Sequence, residues 1–272
     1  MDKLIRDIPE AALGQLRKAC GGVEVVGAVV LGSGLGVLLE SWKPEIRLQG
    51  EEITGYPHSS VAGHAGQVAV VRWGGRPGLV FQGRVHFYEG YHRSEVTFAV
   101  RLAAALGAKW LLLTNAAGAV DPLMIPGTVM VVEDHLRILL GPRASRGASE
   151  GRCLRGSPYN QRRVADAFRI LSGEGLTVVR GVLGGGLGPT YETAAEVEMI
   201  RRMGAHAACM STVIEAEEAA RQGVEVAALS LVTNFCTGLS EGALDHAEVV
   251  SMAREAGPRL ARGIAKLVES WC

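Results

Sequence analysis

The chain has 272 residues, and its 28 Lys plus Arg balance 28 Asp plus Glu, so the formal net charge is zero. A nucleic-acid binder carries a basic excess that replaces phosphate counterions, and none is present here. Hydrophobic residues at 48% and charged residues at 21% exclude a disordered chain and call for a sizeable core.

The start, MDKLIRDIPEAALGQL, reads as charged and amphipathic rather than as a signal peptide. No uncharged run reaches the roughly 18 residues that a membrane span needs, so a soluble, cytoplasmic protein with no membrane partner is expected. Glycine is over-represented, 36 of 272 residues. It shows no collagen-like period and clusters between apolar runs, where backbone can approach a ligand. Five cysteines (Cys20, Cys153, Cys209, Cys236, Cys272) without a C-x-x-C pair suggest reduced thiols, with neither a disulfide framework nor a zinc site.

In chain order, apolar β-branched runs predict strands over Gly27–Leu31, Gln67–Trp73, Gly78–Gln82, Trp110–Thr114, Thr128–Val132, Thr177–Leu183, Ala205–Met210 and Val226–Thr233. Several are continuously hydrophobic, as in a sheet covered on both faces. Helices are expected between them. Ser94 is a candidate cap for a helix ending at Gly107, and Thr193 with Glu196, Thr212 with Glu215 and Asp245 with Glu248 have capping-box spacing. Gly204, Gly223 and Gly257 are predicted stops. The alternation predicts one α/β domain over residues 1–272. Residues 141–161 form a polar stretch rich in Gly, Ser and Arg, read as a solvated surface loop.

Chemistry concentrates at strand ends. Gly32-Ser33-Gly34-Leu35-Gly36 follows an apolar strand, and its glycines let N–H groups converge on an anion while Ser33 adds a donor. The third glycine falls one residue early for a dinucleotide fingerprint, and no ribose-binding acid follows. Arg84 and His86 leave the end of another strand on one side, a fork and a further donor suited to phosphate oxygens. His64 stands on a glycine-flanked loop; by itself it reads as a surface residue. The run Thr114-Asn115-Ala116-Ala117-Gly118 reads either as a turn that admits a ligand to main-chain N–H groups or as a packing corner. Glu192 precedes a helix start, which favours an ionised carboxylate able to read a heterocycle's N–H edge, with Tyr191 beside it. Ser211 opens another helix, Asn234 ends a strand, and His246 follows Asp245 at a further helix start.

Together GSGLG (32–36), TGYPHS with GHAG (54–66), GRVHFYEGY (83–91), TNAAG (114–118), GPTYET (188–193), MSTV (210–213), TN (233–234) and DHAEV (245–249) resemble, in the family's order, the trimeric purine nucleoside phosphorylases. The resemblance implies a mixed central β-sheet, partly barrel-like, surrounded by α-helices. It implies phosphorolysis of inosine, guanosine and their deoxy forms to free base and ribose 1-phosphate, by a homotrimer with phosphate as co-substrate and neither metal nor other cofactor. Phosphate would be held by Ser33, His64, Arg84, His86, Ser211 and the N–H of Ala116. The base would meet Tyr191, Glu192 and Asn234, and the ribose Tyr88, Met210 and His246. His86, Glu192 and Asn234 would be the catalytic set.

Relatives that cleave methylthioadenosine carry an aspartate at the Asn234 position and an apolar residue at the His246 position, so the oxopurine branch is preferred. Methylthioadenosine phosphorolysis and nucleoside binding with little turnover are the alternatives. The chain departs from the family pattern in three places: the short arginine-rich stretch 141–161, the glycine run Gly184-Gly185-Gly186, and Cys209 where glycine is usual. The glycine run predicts a weakened strand and a thin pocket wall.

Overall fold

The computed structural model describes residues 8–61, 65–139, 156–240 and 246–272. Nine strands run β1 (Gly27–Leu31), β2 (Ile46–Gln49), β3 (Gln67–Trp73), β4 (Arg76–Gln82), β5 (Trp110–Ala119), β6 (Val129–Leu139), β7 (Val178–Gly186), β8 (Ala207–Cys209) and β9 (Glu225–Phe235). The described helices are α1 (Glu10–Ala19), α2 (Arg93–Val96), α3 (Phe98–Ala105), α4 (Gln161–Ser172), α5 (Ala194–Arg202), α6 (Val213–Arg221) and α7 (His246–Glu269).

The strands form one mixed sheet in the order β2-β3-β4-β1-β5-β8-β7-β6-β9. Strand β9 also pairs in parallel with β5, so the last five strands of that order close into a barrel-like ring. The expected mixed, partly barrel-like α/β architecture is therefore present. Every residue of β1 is buried, as are Leu111 to Leu113 of β5 and Val226 to Val232 of β9, which is why these runs read as continuously apolar. Trp73 and Trp110 pack with ring centroids 5.1 Å apart inside this core, and Trp271 meets Trp110 edge-on at 5.2 Å.

Several elements depart from expectation, each for a local reason. Strand β2 alternates half-buried and exposed residues over only four positions, too short a pattern to register from sequence. Strand β5 does not turn at Thr114. It continues through the small residues to Ala119, because β9 and β8 supply partners on both sides, with a bulge between Ala117 and Gly118. The helix cap is His92, two residues before Ser94: α2 begins after His92, whose N–H donates to Glu95 Oε2 at 2.9 Å. The helix then breaks at Thr97, whose hydroxyl donates to the Arg93 carbonyl at 2.8 Å. Gly257 is not a stop. Helix α7 runs on through Gly257 and Pro258, and a Cβ at Gly257 would come within 3.1 Å of Val37 Cγ2, so the glycine serves close packing. Gly204 and Gly223 do end their helices, at φ 96° and 78°. The 141–161 stretch lies outside the described residues up to position 155, as do His64, Cys153 and Asp245.

Candidate active site

Strands β1, β4, β5 and β9 run in parallel, with β8 antiparallel to β5, and residues within β5, β8 and β9 together with the segments that follow β1, β4 and β8 line one cleft. Its lining includes Ser33, Arg84, His86, Tyr88, Ala116, Tyr191, Glu192, Met210, Ser211 and Asn234. Residues spread over two hundred positions of the chain thus share one wall. Of the residues expected from sequence, His64 lies outside the described set, and His246 is placed only as the first residue of α7.

One end of the cleft is built from strand ends. Gly32 closes β1 against β5: its N–H donates to Thr114 Oγ1 at 3.1 Å, and a Cβ there would sit 2.7 Å from the Thr114 carbonyl. Gly34, at φ 73°, then turns the chain past Ser33 into a 3-10 helix, Leu35–Trp42. Arg84, 7% exposed, has its Nε 3.1 Å from both carboxylate oxygens of Glu215, and its Nη1 donates to the Thr114 carbonyl at 2.7 Å. The guanidinium plane is thereby fixed by two elements.

His86 is fixed in turn by Glu89, which accepts from both its Nδ1 (2.9 Å) and its backbone N–H (2.8 Å). Its ring stacks on Tyr88 with centroids 4.7 Å apart. Burial holds the His86 imidazole below its ordinary pKa, partly offset by the Glu89 hydrogen bond. Glu89 is itself held low: burial pushes its carboxyl up, but donors from Ser60 and His86 outweigh that. Burial, with Glu89 and Tyr191 nearby, pushes the Tyr88 phenol up to about 12.

At the other end of the cleft, α5 opens with a complete capping box. The Thr193 hydroxyl accepts from the Glu196 N–H at 3.3 Å, and Glu196 Oε2 accepts from the Thr193 N–H at 2.7 Å. Glu192 stands just before it. Burial raises the Glu192 pKa, with Glu196 adding to the rise, so desolvation opposes the stabilisation expected from the helix start. Asn234 is oriented by both ends of its amide: Oδ1 accepts from the Thr233 hydroxyl at 2.9 Å and Nδ2 donates to the Phe235 carbonyl at 2.9 Å. An amide has two donors and two lone pairs, so one of each remains for a ligand.

Two of the sequence departures acquire a physical account. Gly184 and Gly185 keep their ladder partners, Leu136 on β6 for Gly184 and Ala208 and Cys209 on β8 for the pair. A Cβ at Gly185 would lie 2.8 Å from Val213 Cγ2. The strand persists and Gly185 admits Val213 of α6, and the glycine run is not part of the cleft lining, so the thin pocket wall expected there is absent. Cys209 lines the cleft and its thiol donates to the Ser211 carbonyl at 3.2 Å; burial pushes that thiol up to about 11.

Asn115 and Thr233, which the sequence offers only as members of the TNAAG and TN motifs, and Cys236 also line the cleft, with Glu89 and Glu215 behind it. Glu89 had a signal, the i+3 spacing from His86, whereas the Arg84–Glu215 pair spans 131 positions and had none.

A sequence model of the phosphorylase superfamily matches residues 28–269. The purine nucleoside phosphorylase 1 of Geobacillus stearothermophilus is 37% identical over 247 residues, which cover 89% of this chain and 90% of that protein. The purine nucleoside phosphorylase of Bos taurus is 35% identical over 257 residues, 89% of this chain and 88% of that one. The chain belongs to the phosphorylase superfamily, among the purine nucleoside phosphorylases. Two solved phosphorylase structures share the fold: the Schistosoma mansoni enzyme in complex with inosine, at TM-score 0.84 and 27% identity over 98% of this chain and 96% of that one, and a Schistosoma enzyme in complex with hypoxanthine, at TM-score 0.84 and 28% identity over 96% and 95%.

Proposed function

We infer that the chain cleaves purine nucleosides of the 6-oxo class, inosine and guanosine and their deoxy forms, with inorganic phosphate, giving free base and ribose 1-phosphate. The observation that carries this is the convergence of an oxyanion set (Ser33, Arg84, His86, Ser211) and a purine-reading pair (Glu192, Asn234) in one cleft. The relatives named above support it, as do the matching phosphorylase structures solved with inosine and with hypoxanthine.

In the reaction, a phosphate oxygen attacks C1′ of the ribose while the C1′–N9 bond breaks and its electron pair moves into the purine. The sugar becomes oxocarbenium-like, and the phosphate beneath it is both nucleophile and electrostatic partner. Phosphate needs no general base, so the residues have to position it and place donors where charge develops. Arg84, His86, Ser33, Ser211 and the Ala116 N–H hold phosphate, with His64 closing over it. Tyr88, Met210 and His246 serve the ribose. Tyr191 covers the base, Glu192 accepts from its N1–H, and Asn234 donates towards O6 and N7, where negative charge collects.

The same reading takes phosphate as co-substrate with no other cofactor or metal, and places a homotrimer in the cytoplasm. The described cysteines, Cys20, Cys209, Cys236 and Cys272, are free thiols, which suits a reducing compartment. Among the described residues no helix is long and apolar enough to cross a membrane.

Purified protein incubated with inosine, guanosine, adenosine and methylthioadenosine, with and without phosphate, tests the function. Phosphate-dependent release of hypoxanthine and guanine is expected. Preference for methylthioadenosine would overturn the assignments of Asn234 and His246, and binding without release would leave a nucleoside-binding protein. Light scattering tests the trimer.

A further inference from the structure

Behind the cleft, one buried carboxylate touches both Arg84 and the turn that carries Ser211. Glu215, 1% exposed, lies in the first turn of α6. It is the partner of Arg84 Nε, and its Oε2 also accepts from the Thr212 N–H at 3.2 Å. Thr212 has φ 69° and ψ −51°, and the Val213 N–H donates back to the Ser211 carbonyl at 2.7 Å. This is a γ-turn of the rare, strained hand, and it is occupied by a β-branched residue.

Such a conformation persists only where its surroundings over-determine it. Here three side chains do so. Asn115 Nδ2 donates to Thr212 Oγ1 at 3.0 Å, the Cys209 thiol donates to the Ser211 carbonyl, and Glu215 takes the Thr212 N–H. The Thr212 hydroxyl is also 3.2 Å from Ser211 Oγ. The turn that presents Ser211 and the guanidinium of Arg84 therefore share Glu215.

We propose that Glu215 is a positioning residue that ties the Arg84 and Ser211 arms into one phosphate-binding geometry, so that phosphate affinity depends on it and nucleoside affinity does not. The proposal rests on the phosphorolysis reading above. Glu215→Gln preserves volume but removes the buried counter-charge and sets an amide N–H against one of the two donors. Glu215→Asp keeps the charge but is one methylene too short to span both.

Steady-state kinetics with inosine and phosphate varied separately, together with thermal-shift titration by inorganic phosphate alone, test this. Glu215→Gln is expected to raise the KM for phosphate about 10-fold or more and to shift the titration midpoint equally, with the inosine KM within about twofold. Glu215→Asp is expected to fall between it and the wild type, and decides the matter if the Gln variant does not fold. An unchanged phosphate KM and midpoint, or an inosine KM that rises in parallel, would overturn the proposal. A wild type that binds phosphate but releases no base would instead contradict the phosphorolysis reading, while the titrations still report on Glu215.

Discussion

At the end of the cleft proposed to hold phosphate, Arg84 and His86 are each 7% exposed and each is held by a carboxylate of its own, Glu215 and Glu89. At the end proposed to hold the base, Tyr191 is 41% exposed, and the orientation of Asn234 depends on its own sequence neighbours Thr233 and Phe235. The contrast follows from what each end has to recognise. Donors aimed at a small anion act strongly in a low dielectric only if they are already oriented, because reorganisation at the moment of reaction would cancel the gain. A purine presents a broad face and two edges, and its side of the cleft has to stay open for it to enter.

The largest effect expected is at the rigid end. Arg84→Ala should lower phosphorolytic turnover by about 10²–10³, as removal of one preorganised donor does. It should also destabilise the fold by about 3–5 kcal/mol, because Glu215 is left buried without its partner. Phosphate-dependent rates and thermal melts measure the two, and an Ala variant with wild-type kcat/KM for phosphate would break the contrast.

At the open end, Asn234→Asp exchanges a donor for an acceptor facing O6. The ratio of inosine to adenosine cleavage should fall by about 10-fold or more, since a site built to hydrogen-bond one group rejects the analogue lacking it. An unchanged ratio removes Asn234 from base recognition. Tyr191→Ala should raise the nucleoside KM by about two- to tenfold, the worth of one aromatic contact, and leave the phosphate KM alone.

The smallest effect concerns pH. Burial keeps the folded His86 pKa below its unfolded value, so the unfolded state binds more protons as pH falls through about 6.5. Stability should therefore decline as pH drops from about 6.5 towards the lower folded pKa, and His86→Gln should flatten that decline. Melting temperatures over about pH 5 to 8 test this, and parallel curves for the two proteins would place the titrating group elsewhere.

How much of this was legible in the sequence follows the same division. Gln67–Trp73 was bounded correctly because its continuous apolar run is flanked by Gly66 and Gly74, and the Thr193–Glu196 cap was readable as four adjacent positions. The residues facing the ligand announced themselves as chemical types at strand ends. Their supports did not: Glu215 reads locally as half of a capping box with Thr212, and only the fold brings Arg84 to it. The extension of β5 through TNAAG was equally hidden, because it depends on partners in β8 and β9 that follow about ninety residues or more later. Local pattern specified which groups act, and tertiary pairing specified what holds them still.

We propose that one cleft joins phosphate to the sugar of an oxopurine nucleoside. Phosphorus NMR of the protein with inosine and inorganic phosphate tests it most directly. A sugar-phosphate resonance that grows in step with free hypoxanthine is expected. Hypoxanthine released without a sugar phosphate would show water as the nucleophile and contradict it.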